Sequence, residues 1–583
     1  MRSRYLLQAV VAGVLGSALY LAAAVASSGT LTAPPAGQTS SIAWAGGPYT
    51  GVTADPSACT TLTCDSFMLT VNVPSTFYAS NPTYAVRVRI AWAASTNDFD
   101  LYVYDSSGAL VASSAQGGTT FEDADAGALP SGTYRVQVVA FAAVNASYTG
   151  SATLGPEPTT TTGRARYRNG DFTFSAPQAL PGPADLLFTQ QGVEPRAVTD
   201  PLGNIYVASI QGIPAGTDAW KSMDGGQTFA YLGQPDGAQA ASAIARGGGA
   251  GGGDEDLAAG SSGNVYVTSL WLGSATQASS SNGGATWTAN PFSTDAPLTD
   301  RQWIAAHGAG ELYLTYKQLG VLLANTESIF VAKSFDGGVT FPQIVEVTTP
   351  EFGVQPGLQG NIEVDPNTGT VYNAFVGAQE NQLYLARSTD GGRTFILKLI
   401  LQAASGTSLG NVFPSLGIDR GGNLHVAYSD GRNIFLTSSA DGGATWTPPV
   451  RVSNGAATKT SLAPWVQAGD AGKVNIAWWG TSASSNLDAG ARWQVLFAQT
   501  QNAFANVPTF SQAAATAVMH AGAICVNGTA CPSGTRNLAE YFAQGLWLDG
   551  SALIPYPDDF NNPSPMTTFV RQTGGARITG IKN

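Results

Sequence analysis

The chain has 583 residues and a net charge of −12 at pH 7, and only 11% of its residues are charged. This length predicts two or more domains, because a single hydrophobic core rarely extends beyond about 300 residues. The acidic balance, without a basic stripe anywhere in the sequence, argues against nucleic acid and anionic membrane surfaces as partners.

Residues 1–26 have the pattern of an export signal. A short basic region with two arginines is followed by an apolar run that extends to Ala26. Ala24 and Ala26 are the small residues that signal peptidase requires, which predicts cleavage before Ser27. The run is nearly long enough to cross a bilayer, so retention as an N-terminal anchor is the alternative. The sequence therefore predicts a secreted, extracellular protein, free or associated with the cell surface, with no membrane span after cleavage.

A small β-sandwich is predicted over residues 57–155, after an N-terminal extension at 27–56. Segments such as Ala85–Trp92 and Tyr134–Ala140 alternate with the two-residue period of a half-buried strand. Between them, Asn97–Gly108 is predicted to be a strand that runs into a turn. Its D-x-D-L-Y-V-Y-D pattern and the later G-T-Y-x-V strand resemble the bacterial pre-peptidase C-terminal domain (PPC domain). The resemblance implies a jelly-roll-like accessory module.

The same segment contains three aspartates, Asp98, Asp100 and Asp105. Their carboxylates could contact a structural calcium ion. The alternative is that they cap turns and pair within the domain. No cofactor and no other metal site is predicted, since the chain has only three histidines.

The four cysteines form two local pairs, Cys59 with Cys64 and Cys525 with Cys531. In an exported protein, such close pairs are typical of disulfides that each close a small loop. Two disulfides are therefore predicted.

After a Pro/Thr linker at 156–168, the sequence from 169 to 583 repeats. The turn Ser-x-Asp-Gly-Gly-x-Thr-Phe/Trp occurs in five copies, one of which has Asn in place of Asp. The Asp or Asn positions are Asp224, Asn282, Asp336, Asp390 and Asp441. A repeat of about 50 residues built only of strands predicts the blades of a β-propeller.

A second repeat predicts the number of blades. A strand that begins with glycine occurs at Gly203, Gly263, Gly310, Gly369, Gly422, Gly472 and Gly550. Seven copies predict seven blades, with six or eight as the alternatives. Residues 170–180 have the pattern of an outer strand but precede every inner strand, and the last blade lacks an outer strand. We expect the N-terminal strand to complete the last blade, which would close the ring and remove a sheet edge.

The repeated turn resembles the Asp-box, or BNR repeat, of sialidases and many other propellers. The resemblance implies an all-β protein in which a seven-bladed sialidase-like β-propeller follows the small sandwich. It also implies that the five Asp or Asn residues are structural. Their side-chain oxygens accept N–H groups of the turn, and the aromatic residue packs between neighbouring blades.

A functional site is predicted at the axial channel, because the first strands of all blades begin around one of its mouths. The candidate catalytic residues there are Asp254, Asp256, Asp300, Arg301, Glu540 and Tyr541. The candidate ligand-binding residues are Arg196, Asp256, Arg301, Trp303, Trp465 and Arg536. Carboxylates beside arginines could bind a sugar acid, a hydroxylated glycan or a cation. The alternative is a ring of ion pairs that only holds the blades together.

Three hypotheses of function follow. Sialidases carry an R-I-P motif at the start of the ring, whereas Val193–Ala197 has the sequence V-E-P-R-A. The leading hypothesis is therefore a non-catalytic propeller that binds an extracellular glycan or a surface protein. The first alternative is a glycoside hydrolase of exo-sialidase-like type, based on the acidic residues near Arg301. The second is a structural component of an extracellular assembly.

Overall fold

The computed structural model describes residues 28–579, except for 36, 54–57, 59, 61, 82–83, 95, 116–119, 157–159, 183–191, 213–215, 237–250, 272, 295–297, 320–326 and 350–351. The predicted signal segment and Cys59 lie outside the described residues. The chain divides into two compact units after Gly155, and residues 81–84 are grouped with the second. Among the described residues, no helix has the length and apolar character needed to cross a membrane.

The first unit is built almost entirely of strands. They are β1 (Ser28–Thr32), β2 (Ser40–Val52), β3 (Cys64–Asn72), β4 (Tyr84–Trp92), β5 (Asp98–Tyr104), β6 (Leu110–Ser114), β7 (Phe121–Gly127) and β8 (Gly132–Pro156), with one helix, α1 (Phe77–Ser80). The long β8 pairs with β2, β3, β4 and β5. Alternation places Val88 and Ile90 of β4 in the core and leaves Arg89 exposed.

The sheet of this unit begins earlier than the sequence predicted. Residues 27–56 were expected to be an extension, but β1 pairs with β3 and β2 pairs with β8. The sequence pattern of β2 indicates a strand only weakly, because β2 consists mostly of small residues and Trp44 is its one large buried side chain. Trp44 stacks on Phe67 of β3, with ring centroids 4.2 Å apart.

The three aspartates of the first unit do not form a shared ligand group in the described residues. Asp105 accepts the backbone N–H groups of Ser107 and Ala109 and so stabilises its own turn. Asp100 accepts a hydrogen bond from the hydroxyl of Tyr102. These bonds are of the kind expected from aspartates that cap turns and pair locally.

The second unit is a seven-bladed β-propeller, as predicted. It begins with three short strands, β9 (Arg166–Asn169), β10 (Thr173–Phe174) and β11 (Gln178–Ala179). The first three blades are β12 (Val193–Thr199), β13 (Ile205–Gly212), β14 (Gly216–Ser222) and β15 (Ala230–Gly233); β16 (Glu255–Ala259), β17 (Val265–Trp271), β18 (Ser274–Ser280) and β19 (Thr288–Asn290); β20 (Thr299–His307), β21 (Glu311–Gln318), β22 (Ser328–Ser334) and β23 (Gln343–Glu346).

The remaining four blades follow in chain order. They are β24 (Pro356–Val364), β25 (Val371–Gly377), β26 (Gln382–Ser388) and β27 (Ile396–Gln402); β28 (Ser415–Ile418), β29 (Leu424–Ser429), β30 (Ile434–Ser439) and β31 (Val450–Arg451); β32 (Thr460–Ala468), β33 (Val474–Thr481), β34 (Arg492–Thr500) and β35 (Thr509–Ala514), with β36 (His520–Ala521) beside β34; and β37 (Gly545–Leu546), β38 (Ala552–Asp558) and β39 (Met566–Gly574).

The N-terminal strands close the ring. β10 and β11 pair antiparallel with β39, so that the seventh blade combines the two ends of the unit. This pairing confirms the predicted closure. The segment before it also belongs to the propeller, because β9 pairs in parallel with β35 and covers the outer edge of the sixth blade. Part of the region expected to be a linker is therefore a strand.

The repeated turns lie between the third and fourth strands of their blades. At the first, Asp224 Oδ1 accepts the N–H groups of Gln227 and Thr228, each at 2.9 Å. Slight burial opposes ionisation, but bonds from Thr228 and Ser222 outweigh it and lower the pKa of Asp224 to about 2. Asp336, Asp390 and Asp441 accept equivalent bonds, and Asn282 accepts the N–H of Thr286.

The aromatic residue of the turn connects neighbouring blades. Phe229, which ends the first turn, packs edge to face on Phe569 of β39, with ring centroids 4.8 Å apart. Both side chains belong to a buried cluster between the first and seventh blades. The first turn is thus linked to the ring closure through apolar contacts.

Candidate functional site

A cavity of about 860 Å³ opens at the mouth of the axial channel. Its wall consists of segments that lead into the first strands of blades and segments that join second to third strands. Its charged lining residues are Glu194, Asp254, Asp300, Arg301, Lys317, Glu327, Glu380, Arg536 and Glu540. Six carboxylates therefore face three cations.

The backbone at this mouth departs from regular strand geometry. Register shifts interrupt the pairing of β12 with β13 and of β20 with β21 near their first residues. Glu194, Arg301, Ala463 and Ala539 have φ between 45° and 56° although none is glycine. Bulges re-aim side chains out of the alternation of a strand, and left-handed non-glycine residues persist only where the surroundings hold them. The mouth is thus a place where packing imposes the positions of side chains.

Arg301 is a buried cation that is held by ion-pair, hydrogen-bond and aromatic partners. Its Nη1 lies 2.8 Å from Glu194 Oε2, and its Nη2 donates to the backbone carbonyl of Glu255 at 2.8 Å. The guanidinium also lies over two aromatic rings, 4.1 Å from the centroid of Trp303 and 4.7 Å from that of Tyr541. These contacts fix Arg301 in one position, although its Nε has no hydrogen-bond partner among the described residues.

The other lining cations are also paired. Lys317 Nζ lies 2.8 Å from Glu327 Oε2, and Arg536 forms an ion pair with Glu540. Once each of the three cations is matched with one carboxylate, Asp254, Asp300 and Glu380 remain, and these are in excess. The cavity is therefore acidic.

The carboxylates crowd one another on one side of the cavity. One oxygen each of Glu194, Asp254 and Glu540 lies within 4.8 Å of the other two. Burial, followed by repulsion from Asp254, raises the pKa of Glu194 to about 8 and also raises the pKa of Glu540. The same causes raise the pKa of Asp300 to about 6. The crowding of these carboxylates therefore disfavours ionisation of all of them together.

A second layer lies beneath the cavity and does not line it. Asp256 is fully buried, forms an ion pair with Arg196 and accepts the N–H of Ile304 at 2.7 Å. Arg196 lies over the ring of Trp465, 5.3 Å from its centroid. Because these contacts join residues of four blades, Asp256 and Arg196 hold the ring together from within.

Several sequence-predicted site residues thus lie outside the cavity. Of the candidate catalytic residues, Asp254, Asp300, Arg301 and Glu540 line it, and Asp256 and Tyr541 do not. Of the candidate ligand-binding residues, Arg301 and Arg536 line it. Arg196, Trp303 and Trp465 are buried below. Trp303 contacts both Tyr541 and Trp465, at centroid distances of 5.0 and 5.5 Å.

Three lining residues near the connections between second and third strands were not predicted from the sequence. Lys317 lies at the end of β21, and Glu327 and Glu380 lie in the connections that follow β21 and β25. Asn527 belongs to a loop that the disulfide Cys525–Cys531 closes, and it also reaches the cavity. These positions could have been predicted from the sequence, because loops after second strands open on the same face of a propeller as the segments before first strands. Cys64 is also disulfide-bonded.

One buried carboxyl has no hydrogen-bonding role among the described residues. Both side-chain oxygens of Glu255 are buried and lack a hydrogen-bond partner there. Burial and the neighbouring Asp256 raise its pKa well above the usual value. The backbone carbonyl of Glu255, rather than its side chain, provides the hydrogen-bonding contacts, because it accepts from Arg301 and Tyr541.

No protein-family model matches the sequence, and no curated protein does either. Solved structures with a similar fold include an α-L-arabinanase of Penicillium chrysogenum, with 14% identity over 71% of this chain and 98% of the other, at a TM-score of 0.35. A leech intramolecular trans-sialidase is 13% identical over 85% of this chain and 94% of the other, with a TM-score of 0.36. A lectin of Aleuria aurantia in complex with a fucoside is 10% identical over 60% of this chain and 99% of the other, with a TM-score of 0.33. At these values the likenesses support no statement about ligand or activity.

Proposed function

We propose that this chain is a secreted propeller of the Asp-box kind that binds an uncharged, hydroxyl-rich glycan in the central cavity without cleaving it. The observation that carries the proposal is the excess of carboxylates in a cavity of about 860 Å³. Carboxylates accept hydrogen bonds from sugar hydroxyls, and fixed polar groups in a concave site orient a ligand. The first unit, as a PPC-like module, serves as a second contact surface in this proposal.

The charges of the cavity favour an uncharged glycan over a sugar acid. A sugar carboxylate needs unpaired arginines, and both lining arginines already have carboxylate partners: Arg301 is bound to Glu194 and Arg536 to Glu540. Arg196, which could have completed a group of three, lies beneath the cavity and binds Asp256. An anionic sugar would therefore meet excess negative charge.

Binding of neutral glycans tests this proposal. The purified mature protein is applied to a broad array of neutral and acidic glycans, and the best neutral ligand is titrated by calorimetry. Asp254→Asn removes one excess carboxylate and is expected to weaken binding about tenfold, the loss of one charged hydrogen bond. Lys398→Gln, an exposed change on β27, is the control and leaves binding unchanged. An array without any neutral ligand contradicts the proposal.

The spacing of the carboxylates favours glycoside hydrolysis as a second candidate. Oxygens of Glu194, Asp254 and Glu540 lie within 4.8 Å of one another, close to the roughly 5 Å between the two carboxyl groups of retaining glycosidases. Burial and repulsion from Asp254 raise the pKa values of Glu194 and Glu540, which favours the protonated form that a general acid needs.

An activity screen separates the two candidates. Fluorogenic neutral glycosides are incubated with the wild-type protein, with Glu540→Gln and with Lys398→Gln. Turnover by the wild type that Glu540→Gln abolishes and Lys398→Gln preserves would make the cavity an active site. Asp256→Ala is unsuitable as the inactive control, because Asp256 is a buried partner of Arg196 and its loss would act through stability.

A further inference from the structure

A second pocket, of about 340 Å³, lies between the fifth and sixth blades. Its charged lining residues are Arg432, Arg451 and Lys459, and no carboxylate lines it. Asn433 and Asn454 add neutral polar groups to its wall. We call this group of residues the basic pocket.

The three cations of the basic pocket are not matched by acids. Among the described residues, Arg432, Arg451 and Lys459 take part in no ion pair. The chain has 39 acidic and 27 basic residues, so cations have more than enough partners elsewhere. In the central cavity every lining cation is paired with a carboxylate, whereas the three cations of the basic pocket have no carboxylate partner among the described residues.

One of the cations is held in a defined orientation. Arg451 Nη2 donates to Asn454 Oδ1 at 3.1 Å, and its guanidinium lies over the ring of Tyr167, 5.6 Å from the centroid. The remaining N–H groups of Arg451 are left for a ligand. An arginine that is oriented in advance loses less conformational entropy when it binds an anion.

The basic pocket opens on the same face of the propeller as the central cavity. Arg432 lies in the turn that joins the second and third strands of the fifth blade, β29 and β30. Lys459 lies immediately before the first strand of the sixth blade, β32. Loops of these two kinds also form the wall of the central cavity, and in a propeller they share one face.

We propose that the basic pocket binds the oxyanion of an acidic polysaccharide, either a sulfate ester or a carboxylate. The planar N–H groups of arginine match both anions, and a lysine adds a further point charge. A polymer with closely spaced charges is a poor match, since the net charge of −12 repels it outside the pocket. A glycan with at most one acidic group on each sugar places an anion in the pocket and leaves uncharged hydroxyls around it.

Neutralising the pocket tests the proposal. The variant Arg432→Gln/Arg451→Gln/Lys459→Gln is compared with wild type and with Arg164→Gln/Arg166→Gln/Lys398→Gln, which removes the same charge from exposed positions outside the pocket. Binding to immobilised chondroitin sulfate, hyaluronan and dextran is measured by interferometry. We expect the pocket variant to bind the acidic polysaccharide at least tenfold more weakly than wild type, a difference of about 1.4 kcal/mol. The control is expected to remain within a factor of two.

The three probes also identify the anion. Binding of hyaluronan and chondroitin sulfate alike assigns the pocket to carboxylates, and binding of chondroitin sulfate alone assigns it to sulfate esters. Failure of the wild type to bind either polymer overturns the proposal, and so does an equal loss in both triple variants, which would show general electrostatic attraction. Asp254→Asn, in the central cavity, is expected to retain binding, so failure of the central site leaves this test intact. Arg432→Gln alone, with a smaller loss in the same direction, guards against misfolding of the triple variant.

Discussion

Replacing Asp256 by alanine separates a structural role of this residue from a role in ligand binding. Its carboxylate is fully buried, forms an ion pair with Arg196 of the first blade and accepts the N–H of Ile304 in the third. The substitution leaves Arg196 as a buried cation, with 8% of its side chain exposed and its close partner removed. Glu363, in the fourth blade, also interacts electrostatically with Arg196, but it does not replace the hydrogen-bonded ion pair with Asp256.

Breaking a buried pair by removing one partner costs about 3–5 kcal/mol. The entropy of unfolding is about 2.1 cal/mol/K per residue, so for a propeller of roughly 400 residues this loss lowers the melting temperature by about 4–6 °C. Asp256→Asn keeps an acceptor for Ile304 and removes only the charge, so we expect a smaller decrease. The double variant Arg196→Met/Asp256→Leu removes both charges together and is expected to melt above Asp256→Ala.

Differential scanning calorimetry of the four proteins measures these differences in the transition of the propeller. Glycan binding is measured in parallel well below that transition. A wild-type melting temperature for Asp256→Ala, combined with loss of binding, would refute the structural interpretation and place Asp256 in the ligand site. A double variant that melts below both single changes would show that the pair does not account for the cost.

Three further predictions concern pH, ring closure and the cavity loop. The pKa of Glu194 is 4.5 unfolded and about 8 folded, so the folded state holds the extra proton between these values. The melting temperature should therefore fall as pH rises from about 5 to 8, and Glu194→Gln should flatten that slope. Phe569→Ala removes the contact with Phe229 and should cost about 3–5 kcal/mol in calorimetry; an unchanged transition would contradict it. Opening the disulfide with Cys525→Ser/Cys531→Ser should cost about 2 kcal/mol for so short a loop and weaken glycan binding in titrations; unchanged affinity would show that the loop does not contact the ligand.

The fold could be predicted from the sequence because its repeats are local. Each repeated turn is a short run of residues, and each strand that begins with glycine is contiguous. The seven blades, and the segment 170–180 that completes the last blade, could therefore be predicted without knowledge of long-range contacts. β1 and β2 were missed, since small residues hide the alternation that marks a strand.

The candidate site could be predicted only in part, because its position depends on backbone bulges. A shift in β20 lies between Asp300 and Trp303, so that Arg301 lines the cavity and Trp303 packs below it. From sequence spacing alone, both Arg301 and Trp303 are predicted to bind the ligand. The basic pocket illustrates a second limit, because segments without basic residues separate Arg432, Arg451 and Lys459 in the sequence, so that they form no charge run.

The pairing of β10 and β11 with β39 also constrains the order in which the protein can fold. These two strands have as their sheet partner a segment that follows all the other blades, Met566–Gly574. During synthesis or export, they cannot pair until that segment has emerged, and loop closure over that distance adds an entropic barrier. The first six blades can stack before this step, but the seventh cannot. A chain that stops before residue 566 retains a ring with an open edge, which is a site for pairing with other chains.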